Sequence, residues 1–375
     1  MNIRAAPGQV RDSIVGYLST TKSASIAEIL QAVQSQLGDV PSSSVRSYLN
    51  ANTPVLFERV SRGRYKLRLE ITEEPNQRQI ERRFGRATFI HGNCLDWMRT
   101  CDPVSISAIV TDPPYGLVEY TEREQEKLRE GKGGVWRIPP SFDGHKRSPL
   151  PRFTILSETD RTEMYRFFFE FGLLAFRVLR PGANIIIASN PLFVHIVANA
   201  LNAAGLELRG HIVRLVMTMR GGDRPKNAHE EFQDVSVMPR SMFEPWVILR
   251  RPLEGRVQDN LRKWRTGGFR RLSGDRPFGD VIRSHPTPPG EKKIAPHPSL
   301  KPQSFLRALV RAVLPLGEGV ILDPFAGSGS TLAAANALGH ASIGVEKDAY
   351  YVAIASRAIP KLAELAIKPI DPITS

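Results

Sequence analysis

Apolar positions along the chain change their period near residue 70. Upstream, Val10, Ile14, Val15 and Leu18 in GQVRDSIVGYLST recur at helical spacing, SIAEILQAVQSQLG repeats the pattern and closes on Gly38, and Pro41 with its following serines opens a third short helix, SSSVRSYLN. After Pro54, VLFERVSRGRYKLRLE alternates on either side of Arg62-Gly63-Arg64, which predicts a β-hairpin. Residues 1–71 therefore read as one small domain. TEEPNQRQIERRFGR, residues 72–86, is charged with one proline and predicts a linker. From residue 87 to 375 apolar strands alternate with helical stretches: ATFIHGN, SAIVTDPP, RTEMYRFFFEFGLLAFRVL, NIIIASN and FVHIVANALNAAG, then GVILDPF, STLAAANALG and ASIGVEKD. This predicts an α/β domain with a doubly wound sheet whose ligands sit at the carboxyl ends of strands. Between RLVM and HPSLKP the alternation loosens, so residues 218–295 are expected to be an insertion outside the core.

Charge narrows the function classes. The 375 residues are 41% hydrophobic and carry a formal charge of +13, an excess that favours phosphate-rich partners or anionic membranes. Within 250–276 arginine and lysine strongly outnumber acids, with Trp264 and Phe269 interleaved. That composition suits a polyanion that also offers flat rings, and makes Arg262, Lys263, Arg265, Arg270 and Arg271 candidate DNA contacts. Three helices followed by a basic hairpin resemble a winged helix-turn-helix. The resemblance implies a third helix in the major groove and a wing on the backbone, with Arg46, Ser47, Arg62 and Arg64 at the contact positions. A winged helix that binds protein or dimerises is the open alternative. The amino terminus, MNIRAAPGQV, has no apolar run behind its charge, and no later segment reaches the ~18 apolar residues of a membrane span, so a cytoplasmic protein is expected. Cys94 and Cys101 match no zinc or redox spacing and predict free thiols.

The candidate chemistry stands where strands end. VILDPFAGSGSTLAAANALG is an apolar strand closing on Asp323, then a glycine-rich turn and an alanine-rich helix. Gly327 and Gly329 let backbone approach a ligand, and Ser330 and Thr331 stand at the positive helix start. No lysine precedes the Ser/Thr pair, so this is not a phosphate-binding P-loop. The next strand, SIGVEKD, ends on Glu346, positioned as a ribose-binding acid. Together they point to an adenosine-bearing ligand. Asp323 and the helix start can serve the ammonium and carboxylate of an amino-acid moiety, which favours S-adenosylmethionine over a dinucleotide. Upstream, IVTDPPYGL is a second apolar strand that stops at an acid, two prolines and a tyrosine.

TDPPYG together with DPFAGSGST, GVEKD and HPSLKP resembles the exocyclic-amino DNA methyltransferases, which modify adenine at N6 or cytosine at N4. The likeness covers roughly residues 86–360, and its motif order is similar to the β group of that family. It implies a Rossmann-like, S-adenosyl-L-methionine-dependent methyltransferase sheet acting on double-stranded DNA. Carried over residue by residue, Asp112, Pro113, Pro114 and Tyr115 form the catalytic motif. Asp323, Phe325, Gly327, Gly329, Ser330 and Thr331 line the methionine side, Glu346 binds ribose, and His297, Pro298, Lys301 and Pro302 precede the cofactor helix; Asp112 belongs to the cofactor set as well. HGNCLDW has Asn93 where the family commonly reads Gly-Asp, leaving an amide to meet the cofactor adenine.

The implied chemistry needs no metal and no covalent intermediate. Asp112 and a backbone carbonyl near Pro113 would hold the N–H bonds of an exocyclic amine, the prolines would fix that geometry, and Tyr115 would stack on a flipped base. The aspartate form of the tetrapeptide leans to adenine. Cytosine N4, and a DNA-binding regulator with an inert methyltransferase domain, are the alternatives. A second copy of the chain and a cognate restriction endonuclease stand as open partners; a membrane does not.

Overall fold

The computed structural model describes residues 9–21, 23–51, 53, 57–67, 80–114, 141–142, 145–146, 158–216, 225, 228–297 and 299–370. The chain divides into two compact units, Met1–Gln77 and Arg78–Ser375. In the first, helices α1 (Gln9–Thr20), α2 (Ile26–Leu37) and α3 (Ser42–Ala51) accompany a three-stranded sheet. Their helical spacing brings Ile14, Leu18, Ile29, Val33, Val45 and Leu49 together as a buried core with Phe57 and Tyr65. Ser25 starts α2 with a capping box: its Oγ accepts from Glu28 N–H at 3.2 Å, and its own N–H donates to Glu28 Oε2 at 2.6 Å. Strands β1 (Ala24–Ser25), β2 (Phe57–Ser61) and β3 (Arg64–Leu67) pair antiparallel in the order β1-β3-β2, and the expected hairpin turns at Arg62-Gly63.

The second unit is built on a nine-stranded sheet. Its strands are β4 (Ile80–Phe84), β5 (Ala87–His91), β6 (Ile106–Thr111), β9 (Leu179–Ala188), β10 (Glu207–Leu215), β11 (Phe243–Arg250), β12 (Val281–Arg283), β13 (Val320–Asp323) and β14 (Ala341–Glu346). A two-stranded pair, β7 (Ser141–Phe142) and β8 (His145–Lys146), stands apart from it. The order is β12-β10-β11-β9-β6-β13-β14-β5-β4. From β9 to β5 the strands run parallel, and β11 runs against both of its neighbours.

Two boundaries read from the sequence are corrected. Residues 80–84, inside the span expected to be a linker, form β4 and pair antiparallel with β5. An edge strand needs hydrogen bonds on one side only and tolerates the exposed Glu81, Arg82 and Arg83 that hid it. Residues 243–250, inside the span expected to lie outside the core, form β11, with Trp246, Val247 and Leu249 fully buried. Pro245 and the polar flanks masked a strand that is central to the sheet.

Helices cover both faces of the sheet. Ala108, Val110, Ile186, Ala188, Trp246 and Ile248 share a cluster with the helix Gln303–Val313 through Phe305, Leu306, Leu309 and Val310. Residues of opposite parity, Ile109, Ile185, Ile187, Val247 and Leu249, are equally buried, because alternate side chains point to opposite faces. The helices Glu158–Val178 and Val194–Ala203 pack on each other, and the latter packs against β11. Among the described residues no helix is long and apolar enough to cross a membrane, and both cysteines are free.

Candidate active site

The pairing of β6 with β13 brings two acids to one edge. Ile109 lies opposite Leu322, so Asp112 follows the end of β6 beside Asp323 at the end of β13. Thr111 Oγ1 donates to Asp323 Oδ1 at 2.7 Å, and the Phe325 N–H donates to the same oxygen at 3.2 Å. Burial pushes the Asp323 carboxyl up to about 6, against hydrogen bonds from Thr331 and Thr111, and the neighbouring Asp112 charge adds to the rise. A cleft of about 330 Å³, counted to its open mouth, is lined by Asp112, His297, Lys301, Asp323, Gly327 and Thr331 among others.

The turn after Asp323 is closely fitted. Gly327 has φ +49°, and a Cβ there would stand 3.0 Å from His297 Nε2; Gly329 has φ +80°, and a Cβ there would stand 2.4 Å from Ile359 Cγ1. The turn opens into the helix Ser330–Ala337, whose first N–H groups have no partner in the helix itself. Glu346, at the end of β14, ties the turn down: Oε2 accepts from Gly327 N–H at 2.9 Å and Oε1 from Asp348 N–H at 2.8 Å. Burial raises its carboxyl pKa against those two bonds. His297 Nδ1 accepts from Ser299 N–H at 3.2 Å, and its ring centroid lies 4.4 Å from that of Tyr351. Burial, with the Lys301 charge behind it, lowers His297 to about 4, so the ring is neutral at pH 7. Phe325 packs with Phe167 and Phe171 at 6.0 and 5.7 Å between centroids.

Lys301 lines the same cleft and reaches Asp112. Its Nζ donates to Asp112 Oδ2, donates to Ser299 O at 3.3 Å, and stands 3.3 Å from Glu244 Oε1. The other oxygen of Glu244 accepts from Arg214 Nη1 at 2.9 Å and from Trp246 Nε1 at 3.2 Å. Arg214 in turn donates to Ser284 Oγ at 3.1 Å and His285 O at 2.9 Å, with its guanidinium 5.0 Å from the Phe305 ring centroid. Burial would raise Glu244, but Lys301 and Arg214 overcome it and hold the carboxyl at about 2. Burial would likewise lower Lys301, and Asp112 and Glu244 raise it instead. Sequence reasoning missed Glu244 and Arg214. The only trace is an acid placed just before the apolar run 245–249 and an arginine inside the run 212–216.

Asn93 caps the helix Cys94–Thr100, its Oδ1 accepting from Leu95 N–H at 2.8 Å and Asp96 N–H at 3.4 Å; it follows the end of β5, where the Gly92 N–H donates to Glu346 O at 2.9 Å. Tyr115 and Pro298 fall outside the described residues. Arg46, Arg62 and Arg64 are exposed in the first unit, where Arg64 Nε donates to Ser23 Oγ at 3.2 Å and the guanidinium lies 3.6 Å from Glu28. The basic residues of 262–271 are not brought to Asp112. Asn260, on the helix Val257–Trp264, donates to Pro181 O at 2.9 Å near the start of β9, and Arg265 pairs with Glu318 just before β13. The Arg270 N–H donates to Ala312 O at 2.8 Å, and Arg271 Nε to Ser273 O at 3.4 Å. This cluster thus stands at the amino ends of the strands, and the amino end of β6, Ile106, is about 20 Å along the strand from Asp112 at 3.3 Å per residue. The 216–243 connection, by contrast, leaves β10 and enters β11 at the edge that holds Asp112. Its exposed side chains include Phe232, Val235, Val237, Met238 and Met242.

Comparison with known proteins adds three findings. A family model for N6/N4 methyltransferases, described as DNA methylase, matches residues 106–357. The chain is 26% identical over 294 residues to the type II methyltransferase M.HindIII of Haemophilus influenzae, spanning 70% of this chain and 93% of that protein. Among solved structures it is similar to the PvuII DNA methyltransferase, described as cytosine-N4-specific (12% identical, 74% of this chain, 91% of that one, TM-score 0.47), and to a Thermus thermophilus protein in complex with S-adenosyl-L-methionine (19%, 78%, 100%, TM-score 0.45).

Proposed function

Because the chain belongs to the N6/N4 family of DNA methylases, we propose that it transfers a methyl group from S-adenosyl-L-methionine to the exocyclic amine of a flipped DNA base, adenine N6 in the first instance. The observation that carries this reading is the shared cleft of Asp112, Asp323 and the glycine turn.

The residues fit that cofactor. The space before His297 that a Cβ at Gly327 would fill is kept free. Asp323 would take an ammonium, the first N–H groups of Ser330–Ala337 a carboxylate, and the lone pairs left on Glu346 the ribose hydroxyls. When bound, S-adenosyl-L-methionine supplies an electrophilic methyl group on a sulfonium. Asp112 acts on the other reactant. An exocyclic amine is a weak nucleophile because its lone pair is delocalised into the ring, and an acceptor on its N–H bonds returns density to nitrogen. Pro113 and Pro114 hold the Asp112 carboxylate and the following carbonyl with little freedom, so orientation is largely set before the base arrives. The nitrogen gains one carbon and then loses one proton. Tyr115 supplies the face against which the extruded base stacks, offsetting part of the few kcal/mol that unstacking costs.

The aspartate at position 112 supports adenine over cytosine. We assign base reading to the 216–243 connection, supported by its exit beside Asp112. The first unit is read as a winged helix whose third helix, with Arg46, enters the major groove and whose hairpin, with Arg62 and Arg64, touches the backbone, supported by its three helices and basic hairpin. Tritiated-methyl transfer to duplex DNA, RNA and protein in parallel tests the function. Counts in DNA, recovered after digestion as N6-methyladenine, are expected. N4-methylcytosine would reverse the choice of base, and counts only in RNA or protein would sink the reading.

A further inference from the structure

Arg214, Glu244, Lys301 and Asp112 form a row of alternating charges that crosses from β10 through β11 to the end of β6. The family motifs account for one side of the row only: Asp112 and Lys301 belong to them, and neither Glu244 nor Arg214 does. We infer that Lys301 and Glu244, anchored by Arg214, are positioning residues for Asp112: Lys301 fixes one carboxylate oxygen, and with it the direction in which the carboxylate meets the substrate amine, while Glu244 shares the ammonium. This inference rests on the methyl-transfer reading above.

The need for such a device follows from the company Asp112 keeps. Among the described residues, Lys301, Asp323, Glu244 and Arg214 are the charged groups of its surroundings, with His297 lining the same cleft. Three acids converge in a site where burial already penalises charge, as the raised Asp323 shows. Without Lys301, Asp112 would hold a proton to higher pH, and a protonated carboxyl donates, the wrong polarity for an N–H bond. With Lys301 given wholly to Asp112, the acceptor would be weakened by an ion pair of its own. Asp112, Glu244 and Ser299 O all draw on the same ammonium, so Lys301 is shared among them and not surrendered to any one. The Trp246 ring, 6.0 Å from Nζ, and the buried stem fix its height.

The test uses the full chain as wild type, Lys301→Met, Lys301→Arg and Glu244→Gln. Each is assayed for kcat against pH on duplex DNA and for S-adenosyl-L-methionine Kd by calorimetry. Lys301→Met is expected to lower kcat about tenfold or more with cofactor Kd within about threefold, and to move the acid limb of the profile up by about one pH unit. Glu244→Gln is expected to move that limb down, because Asp112 is then the one acid of the row that draws on Lys301; Lys301→Arg restores part of the lost rate. Urea unfolding reads the same row without turnover: the deficit of Lys301→Met against wild type should shrink from about pH 8 to about pH 5, as protonation relieves the stranded acids. A tenfold rise in cofactor Kd with kcat intact would make Lys301 a cofactor ligand and overturn the inference. So would acid limbs that stay put or move together. A wild type that transfers nothing to DNA would overturn the function first, and the inference with it.

Discussion

The two ends of the central sheet carry similar side chains in opposite circumstances. At the carboxyl end, Arg214, Glu244, Lys301 and Asp112 have side chains 6%, 15%, 8% and 16% exposed. At the amino end, the pairs Arg262–Asp259, Lys263–Glu254 and Arg265–Glu318 are 76%/55%, 58%/49% and 47%/54% exposed. Exposed pairs contribute roughly 0–1 kcal/mol and can be exchanged for contact with solvent at little cost. Breaking a buried pair strands a charge and costs about 3–5 kcal/mol. Formal charge counts both ends alike, and for that reason it pointed to the end with more arginine and away from the one with more consequence.

Four measurements would break or sharpen this contrast. The largest effect is expected from Asp112→Asn, which should lower kcat by about a hundred- to a thousand-fold, the scale of removing one preorganised polar contact from a reacting group, while calorimetry finds S-adenosyl-L-methionine affinity nearly unchanged. Next, Arg214→Met should cost about 3–5 kcal/mol in urea unfolding, against less than about 1 kcal/mol for Arg265→Met. Equal losses would erase the distinction between the ends.

The third measurement concerns pH. Asp323 is raised from 3.8 to about 6 on folding, so the native state binds a proton more tightly than the unfolded chain. Its contribution is full below about 4 and is lost as pH rises through about 6, at most about 3 kcal/mol. Glu244 works the other way: held at about 2, it adds stability above about 4.5 and loses it as pH falls toward about 2. Asp323→Asn should therefore flatten the decline in stability between about pH 4 and about pH 6 that wild type shows, and an unchanged slope would remove Asp323 as its source. The smallest effect is expected from Arg262→Ala, Lys263→Ala and Arg265→Ala combined: methyl transfer within about twofold, and about 0.5 kcal/mol of stability or less per site. A large loss of DNA binding would return the amino end to the recognition surface.

Much of the site was legible in one dimension. Asp112, Asp323 and Glu346 each follow a short apolar run, and in a parallel sheet every such run delivers its last residue to the same edge. No knowledge of strand order was needed. The Arg214–Glu244 pair was hidden because it depends on β10 and β11 pairing across a connection of 27 residues, Val216–Met242, with Arg214 directly opposite Glu244. β4 was hidden by charges that only an edge strand can carry. The address of 262–271 was set by Asn260, a fully buried polar residue that bonds to Pro181 and Thr266 and reads in sequence as one more hydrophilic position.

Because β11 runs against its neighbours, it enters the sheet where the parallel strands leave it, and Glu244 stands at the start of its ladder, just after the connection 216–243. The hairpin register from Leu215–Phe243 to Glu207–Arg250 is held by the strands themselves. That stretch can therefore be exchanged as a cassette. A chimera that swaps residues 217–242 for another loop keeps the charges behind Asp112 in place, so the base-reading role proposed for that connection can be tested without rebuilding the centre beside it.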